Sequence, residues 1–351
     1  MIKDKVTLDR VCENFIKNTM DFYDIPGIAV GVYVGEHFFT GAGGYRNYET
    51  KDPVLPDTVF HCTSVSKLFT AMGIMKLVEE GNLSLSDKLC DVVTWMSIAD
   101  KRWENITIES MLTHTSGLTD INDYRWGEHR TDENALREYA LSDEVAGRKL
   151  LWEPEKGRFR YSSLAYDLLG LVITEISGMT FEDFMKRELF DPLGMEDTTF
   201  FSEADLTDIA MPHSKGRDRV IHLEDIYPYT RQHAPSSTLK STTEDLLKWA
   251  AALMKRAPLH EETIKDMWEP RVSVPDTREE MGFGWFVRKQ EVSLDGEAHE
   301  YTLVGHEGSD DGFRTSFWMC PELGVVTVLL CNLTDAPLKK LNKKLFDMIL
   351  K

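Results

Sequence analysis

A serine and a lysine stand three residues apart in the stretch Thr63-Ser64-Val65-Ser66-Lys67-Leu68-Phe69-Thr70. Apolar residues follow at Val65, Leu68, Phe69, Met72, Met75 and Val78, the spacing of one helix face, and Gly81-Asn82 supplies a stop. The pattern predicts Ser64 at a helix N-terminus with Lys67 one turn on and on the same side. An amine held beside a hydroxyl is an activated-nucleophile arrangement. Unpaired N–H groups at a helix start also favour negative charge developing there. Taken alone the pair is weak evidence, since a chain of this length holds roughly one Ser-x-x-Lys by chance. A capping serine followed by a solvated lysine is the simpler account of these two residues.

Two other segments carry side chains able to join such a nucleophile. Arg160-Tyr161-Ser162-Ser163 directly precedes a run, Leu164, Leu168, Leu171, Val172 and Ile176, that reads as a helix ended by Gly178. Tyr161 is thereby placed at the positive end of that helix, and Ser163 reads as its N-cap. Gly305-His306-Glu307-Gly308-Ser309 closes a predicted strand and offers His306 as a base or hydrogen-bond donor. No second histidine stands four positions beyond His306 or His299, so no zinc-binding His-Glu-x-x-His arises. A Gly-x-Ser-x-Gly elbow is likewise missing, which argues against an α/β-hydrolase. His114, in Leu112-Thr113-His114-Thr115-Ser116-Gly117, reads as a hydrogen-bonded loop histidine.

The elements that must position these residues follow from periodicity. An amphipathic helix is expected over Leu8–Tyr23, then a strand through Ile28, Val30, Val32 and Val34, and a return strand over His37–Gly41. Gly41, Gly43 and Gly44 read as turn and strand-end residues. Leu83 to Ala234 is helical and loop, with Thr107 capping a helix through Leu112 and a further helix over Phe181–Leu189. Ser241-Thr242-Thr243-Glu244 reads as a capping box opening a helix to Met254. Strands are then expected over Phe283–Leu294, His299–Val304, Arg314–Met319 and Val325–Cys331. Turns fall at Asp295-Gly296, at a glycine-rich corner over Gly305–Gly312 and at Pro321–Gly324, and a last helix spans Leu338–Leu350. Both ends of the chain thus supply strands to one antiparallel sheet, an α+β architecture. Its α/β lobe covers about residues 1–62 and 238–351, and a mostly helical lobe covers about 63–237. A ligand cleft belongs between the lobes.

Composition narrows the function class. The 351 residues are 42% hydrophobic and 28% charged, with a formal net charge of −19, which argues against nucleic acid and anionic membranes as partners. A small molecule or short peptide is the expected partner. Five scattered cysteines without paired or metal-ligand spacing point to reduced thiols. With no leader of signal-peptide type and no membrane-spanning run, a cytoplasmic protein is expected.

Ser64-x-x-Lys67, Tyr161-Ser162-Ser163 and His306-Glu307-Gly308, in that order and at these separations, resemble the three motifs of serine β-lactamases and penicillin-binding proteins. The likeness is to the branch holding class C β-lactamases, D-amino-acid peptidases, DD-carboxypeptidases and related esterases. It covers nearly the whole chain, with Ile106–Leu118, Ser241–Leu246 and Gly282–Trp285 as supporting segments. The resemblance implies a serine hydrolase that works through an acyl-enzyme and needs no metal or cofactor. Ser64 would attack, Lys67 take its proton, and Tyr161 pass a proton to the leaving group. Ser163, His306, Gly308 and Ser309 would bind substrate, with the N–H groups of Ser64 and Ser309 as oxyanion hole. Three departures bear on substrate: Ser163 stands where the family usually carries asparagine, His-x-Gly replaces the Lys-Thr-Gly of β-lactamases, and Ala234-Pro235-Ser236-Ser237 stands where relatives often have glycines. The most favoured substrates are small D-amino-acid-containing peptides or amides. A carboxylesterase, a β-lactamase and a non-catalytic peptide-binding or assembly relative remain as alternatives. The acids Glu307, Asp310 and Asp311 read as a solvated turn; facing the cleft, they would disfavour a substrate carboxylate.

Overall fold

The computed structural model describes residues 2, 4–155, 158–216, 221–294 and 297–350. A nine-stranded antiparallel sheet forms its frame. In chain order the strands are β1 (Gly27–Val34), β2 (His37–Asn47), β3 (Asp52–Pro53), β4 (Val272–Ser273), β5 (Glu279–Met281), β6 (Phe286–Leu294), β7 (Glu297–Asp310), β8 (Phe313–Cys320) and β9 (Val325–Cys331). Their spatial order is β3-β2-β1-β9-β8-β7-β6-β5-β4, so the two ends of the chain meet where β1 pairs with β9, Val30 opposite Leu329. The fold is the α+β arrangement expected. Asp295-Gly296 lies outside the described residues.

Alternation along the central strands sends side chains to two layers. Ile28, Val30, Val32, Leu329 and Cys331 face a layer built with α1 (Lys5–Phe22) and the C-terminal helix Leu338–Leu350. Ala29, Val326, Val328 and Leu330 face the opposite layer, which holds the larger core. At its centre lies α2 (Ser66–Glu79), buried on almost every side from Ser66 to Met75, as a helix apolar all round must be. It packs against α3 (Ser163–Ser177) and α4 (Thr243–Met254), with Phe69 stacked on Trp249 at 4.1 Å. Among the described residues, no single helix is long and apolar enough to cross a membrane.

Several expectations need correction. Gly41, Gly43 and Gly44 lie inside β2, not at its end. A Cβ on Gly41 or Gly43 would strike Ile16 of α1 at 3.1 and 2.8 Å, so close helix–sheet approach explains them. β6 begins at Phe286, after a turn with Gly284 at φ +83°. The glycine-rich corner does not exist as such: β7 runs unbroken through His306 and Gly308 to Asp310, and the turn is left to Asp311-Gly312. Ser162, not Ser163, caps α3, its side chain accepting from the Ala165 N–H. Thr242, not Ser241, caps α4 through the Asp245 N–H. The five cysteines are free thiols, all but Cys90 buried.

Candidate active site

Ser64 sits in a short 3-10 turn, Thr63–Val65, that enters α2, rather than in the α-helix itself. Thr63 holds φ +51°, a conformation that a β-branched residue rarely adopts. A two-stranded pairing of Phe60–His61 with Lys240–Ser241 draws this turn against residues 236–240. The Cys62 N–H donates to Leu239 O at 2.7 Å, and the Leu239 N–H donates to Ser66 Oγ at 2.9 Å. Ser66 Oγ donates in turn to Thr63 O at 2.6 Å. That hydroxyl is committed to structure and fully buried, whereas Ser64 is partly exposed.

Lys67 projects from the first turn of α2 beneath Ser64 and is fully buried. Its Nζ donates to Ser64 Oγ at 3.2 Å and to the carbonyl of Ser236 at 2.8 Å. It also lies 4.9 Å from the centre of the Tyr161 ring and 5.9 Å from that of Tyr166. The Ser236 carbonyl carries no sequence signal, because any residue type supplies one. Its segment is held close by Gly170 of α3, where a Cβ would meet Pro235 at 2.1 Å. His114 is the buried structural histidine expected: its Nδ1 accepts the Ser162 N–H at 3.1 Å, and its ring lies 4.5 Å from that of Tyr161.

A cleft of about 460 Å³ opens above these groups. Ser64, Tyr161, Ser163, His306, Gly308 and Ser309 all line it. Lys67 lies below, so the structure brings the seven singled-out residues together. β7 passes the nucleophile closely: a Cβ on Gly308 would sit 1.6 Å from Thr63 Oγ1 and 3.0 Å from Cys62 O, so no larger residue fits there. β6 pairs with β7 only as far as Phe286 opposite Gly305. From His306 to Asp310 that edge of β7 has no strand partner among the described residues.

His306 Nδ1 bonds the Glu307 carbonyl, and Nε2 has no partner among the described residues. Burial, reinforced by Lys67, pushes its pKa down to about 3. The ring is neutral, with the proton on Nδ1 and a lone pair on Nε2, so of the two roles read from sequence, base or donor, the cleft-side nitrogen offers the base. The acids divide. Asp310 bonds His61 Nε2 at 3.0 Å and is nearly buried, so it is not part of a solvated turn. Glu307 lines the cleft, its Oε1 accepting from Ser316 Oγ at 3.0 Å and Trp318 Nε1 at 2.6 Å. Burial lifts its pKa to about 7.

Of the lining residues that sequence reasoning did not single out, two bond Ser163. Tyr124 and Asp120 line the cleft and belong to an irregular loop with no periodicity. Tyr124 donates to Ser163 Oγ at 2.8 Å, and Asp120 Oδ1 accepts the Ser163 N–H at 2.7 Å.

The chain is similar to known proteins over nearly its whole length. The β-lactamase family model matches residues 12–346. The unguisins hydrolase ungD' of Aspergillus campestris is 27% identical over 93% of this chain, which spans only 62% of that protein's length. The octameric penicillin-binding protein homologue from Pyrococcus abyssi superposes with a TM-score of 0.81 at 26% identity, covering 97% of this chain and 77% of its own. The D-amino acid amidase from Ochrobactrum anthropi SV3, complexed with L-phenylalanine amide, shares the fold with a TM-score of 0.77 at 21% identity, over 98% of this chain and 97% of its own. With a family match across nearly its whole length, the chain belongs to the β-lactamase family.

Proposed function

We propose that the protein hydrolyses small D-amino-acid-containing peptides or amides through an acyl-enzyme on Ser64. The observation that carries this reading is the 3.2 Å contact between the buried Lys67 Nζ and the cleft-facing Ser64 Oγ. Ser64 Oγ attacks the substrate carbonyl while Lys67, acting as the unprotonated amine with its lone pair towards Oγ, takes its proton. The N–H groups of Ser64 and Ser309 receive the developing oxyanion. Tyr161, beside Lys67, relays the proton to the leaving amine as the C–N bond breaks, and water then releases the acyl group. The free edge of β7 beyond Gly305 suits an extended peptide laid alongside it. The Aspergillus relative is named a hydrolase, which supports hydrolysis as the reaction. The carboxylesterase reading uses the same residues on an easier acyl donor.

Incubation with a fluorophosphonate should add one mass to the peptide containing Ser64. Ser64→Ala should abolish that adduct and lower turnover by about 10⁴-fold or more, as loss of a nucleophile does elsewhere. An adduct on Ser66, or undiminished activity in Ser64→Ala, would overturn the assignment. A panel of D- and L-aminoacyl amides, p-nitrophenyl esters and a chromogenic cephalosporin separates peptidase, esterase and β-lactamase activity.

A further inference from the structure

The resemblance implies an asparagine at Ser163, which borders the cleft but has a side chain with no exposed surface. The cleft instead presents Tyr124, bonded to Ser163 Oγ at 2.8 Å, with Asp120 beside it. Asp120 Oδ1 accepts the N–H groups of Ser163 at 2.7 Å and Ile121 at 2.9 Å. The Tyr124 ring is stacked on Trp126 at 4.7 Å and meets His233 edge-on at 5.0 Å, so the phenol is fixed in place. Having donated its proton to Ser163, its oxygen is an acceptor towards the cleft.

Asp120 and Asp310 are the carboxylates nearest this wall; Arg148, which donates to the Asp120 carbonyl at 2.8 Å, is itself paired with Glu144 at 2.6 Å. Burial raises the Tyr124 pKa, and Asp310 and Asp120 raise it further, so the phenol keeps its proton. Asp310 is bonded to His61, which burial drives towards its neutral form. The N-terminus of α3 opposes these carboxylates with about half a positive charge, less than Asp120 alone carries. Lys67 lies below the cleft, and Lys339, at its rim, is paired with Glu279 at 2.8 Å. A second, independent observation points the same way. His306, 2% exposed, offers an unpartnered acceptor Nε2 in the same cleft.

We propose that the Tyr124–Asp120 wall is a specificity site for a protonated amine on the substrate, with Tyr124 touching it and Ser163 positioning Tyr124. The inference rests on the acyl-transfer reading of Ser64. An ammonium group brings three donors and a positive charge to a phenol oxygen, a carboxylate and stacked aromatic rings. A substrate carboxylate placed there meets acceptors and like charge.

The test uses methyl esters and p-nitroanilides of D- and L-alanine and phenylalanine, each with the amine free, acetylated or succinylated. Wild-type kcat/KM should favour the free amine at least about tenfold over the acetylated form, and by more over the succinylated one. Asp120→Asn retains an oxygen for the two backbone N–H groups. It and Tyr124→Phe should each shrink that ratio about tenfold, chiefly through KM, and salt should erode the Asp120 effect. Ser163→Ala should shrink the ratio in the wild type but add nothing to Tyr124→Phe, which a merely structural serine would not do. Preference for acetylated substrates, or an unchanged ratio in both Asp120→Asn and Tyr124→Phe with wild-type Tm, overturns the amine site. A fluorophosphonate adduct on Ser64 alongside that result leaves the acyl-transfer reading standing. No adduct and no turnover of any substrate takes both down.

Discussion

Two lysines are fully buried against the same short segment, and only one of them reaches the cleft. Lys67 donates to the carbonyl of Ser236, and Lys240 donates to that of Thr238 at 3.0 Å. Beyond Lys67 lies Ser64 Oγ, open on its far side to the cleft. Beyond Lys240 lies the face of Tyr229, 4.4 Å from its Nζ, in the interior. Burial drives the Lys240 pKa down to about 7. A buried amine is therefore not in itself a mark of catalysis here; what distinguishes Lys67 is a hydroxyl with an open side.

The largest expected effect breaks the Lys67 side of this comparison. Lys67→Ala and Tyr161→Phe should each lower turnover by about 10²- to 10⁴-fold, the usual weight of a proton-transfer group. Because the two act on one proton path, the double variant should fall little below the poorer single. Cleanly multiplicative losses in steady-state kinetics would show separate roles. The next effect concerns the wall that holds the nucleophile. Gly308→Ala drives a methyl into Thr63 Oγ1, and should cost about 1–3 kcal/mol of stability in denaturant titrations. It should also cost about 10²-fold in turnover, since small displacements of a reacting group are expensive. Wild-type activity in that variant would mean that the Thr63 turn can yield without consequence.

The smallest effect sharpens the Lys240 side. Its folded pKa lies below the unfolded value of 10.5, so between about pH 7 and 10.5 the unfolded chain holds the extra proton. Stability therefore rises with pH across that window, and the full penalty, on the order of 5 kcal/mol, is present below pH 7. Replacing the lysine leaves the Thr238 carbonyl without its donor, at about 1 kcal/mol. Lys240→Met should accordingly raise Tm at pH 6 and lose that advantage towards pH 10.5. A lower Tm at pH 6 would show that the lysine is better accommodated than its burial implies.

How legible the molecule is from sequence varies with the kind of signal. Val325–Cys331 and Leu338–Leu350 coincide with the expected elements, because unbroken apolar periodicity lies between clear punctuation by Gly324 and Pro337. Ser64, Lys67, Tyr161 and His306 were findable because order and separation, rather than any single motif, carry the information. Gly305 and Gly308 look like turn residues, so the sequence pattern ends β7 at Val304. In the structure they are required by approach: a Cβ on Gly305 would meet Phe317 O at 2.1 Å. Tyr124 and Asp120 left no trace in the pattern, as their contacts with Ser163 span 39 and 43 residues. Nor could Lys240 be told from a solvated lysine, since its burial is decided by the pairing of residues 60–61 with 240–241.

Thr63 holds a left-handed backbone immediately before Ser64, at a cost of about 1–3 kcal/mol for a branched residue. The tightly packed layer around α2 keeps it there. The turn thus has strain to release in a brief local opening, which the sheet and the helices beneath it do not. Warming the protein would release Ser64 from register with Lys67 before the core melts, so the midpoint of heat inactivation should lie below that of unfolding.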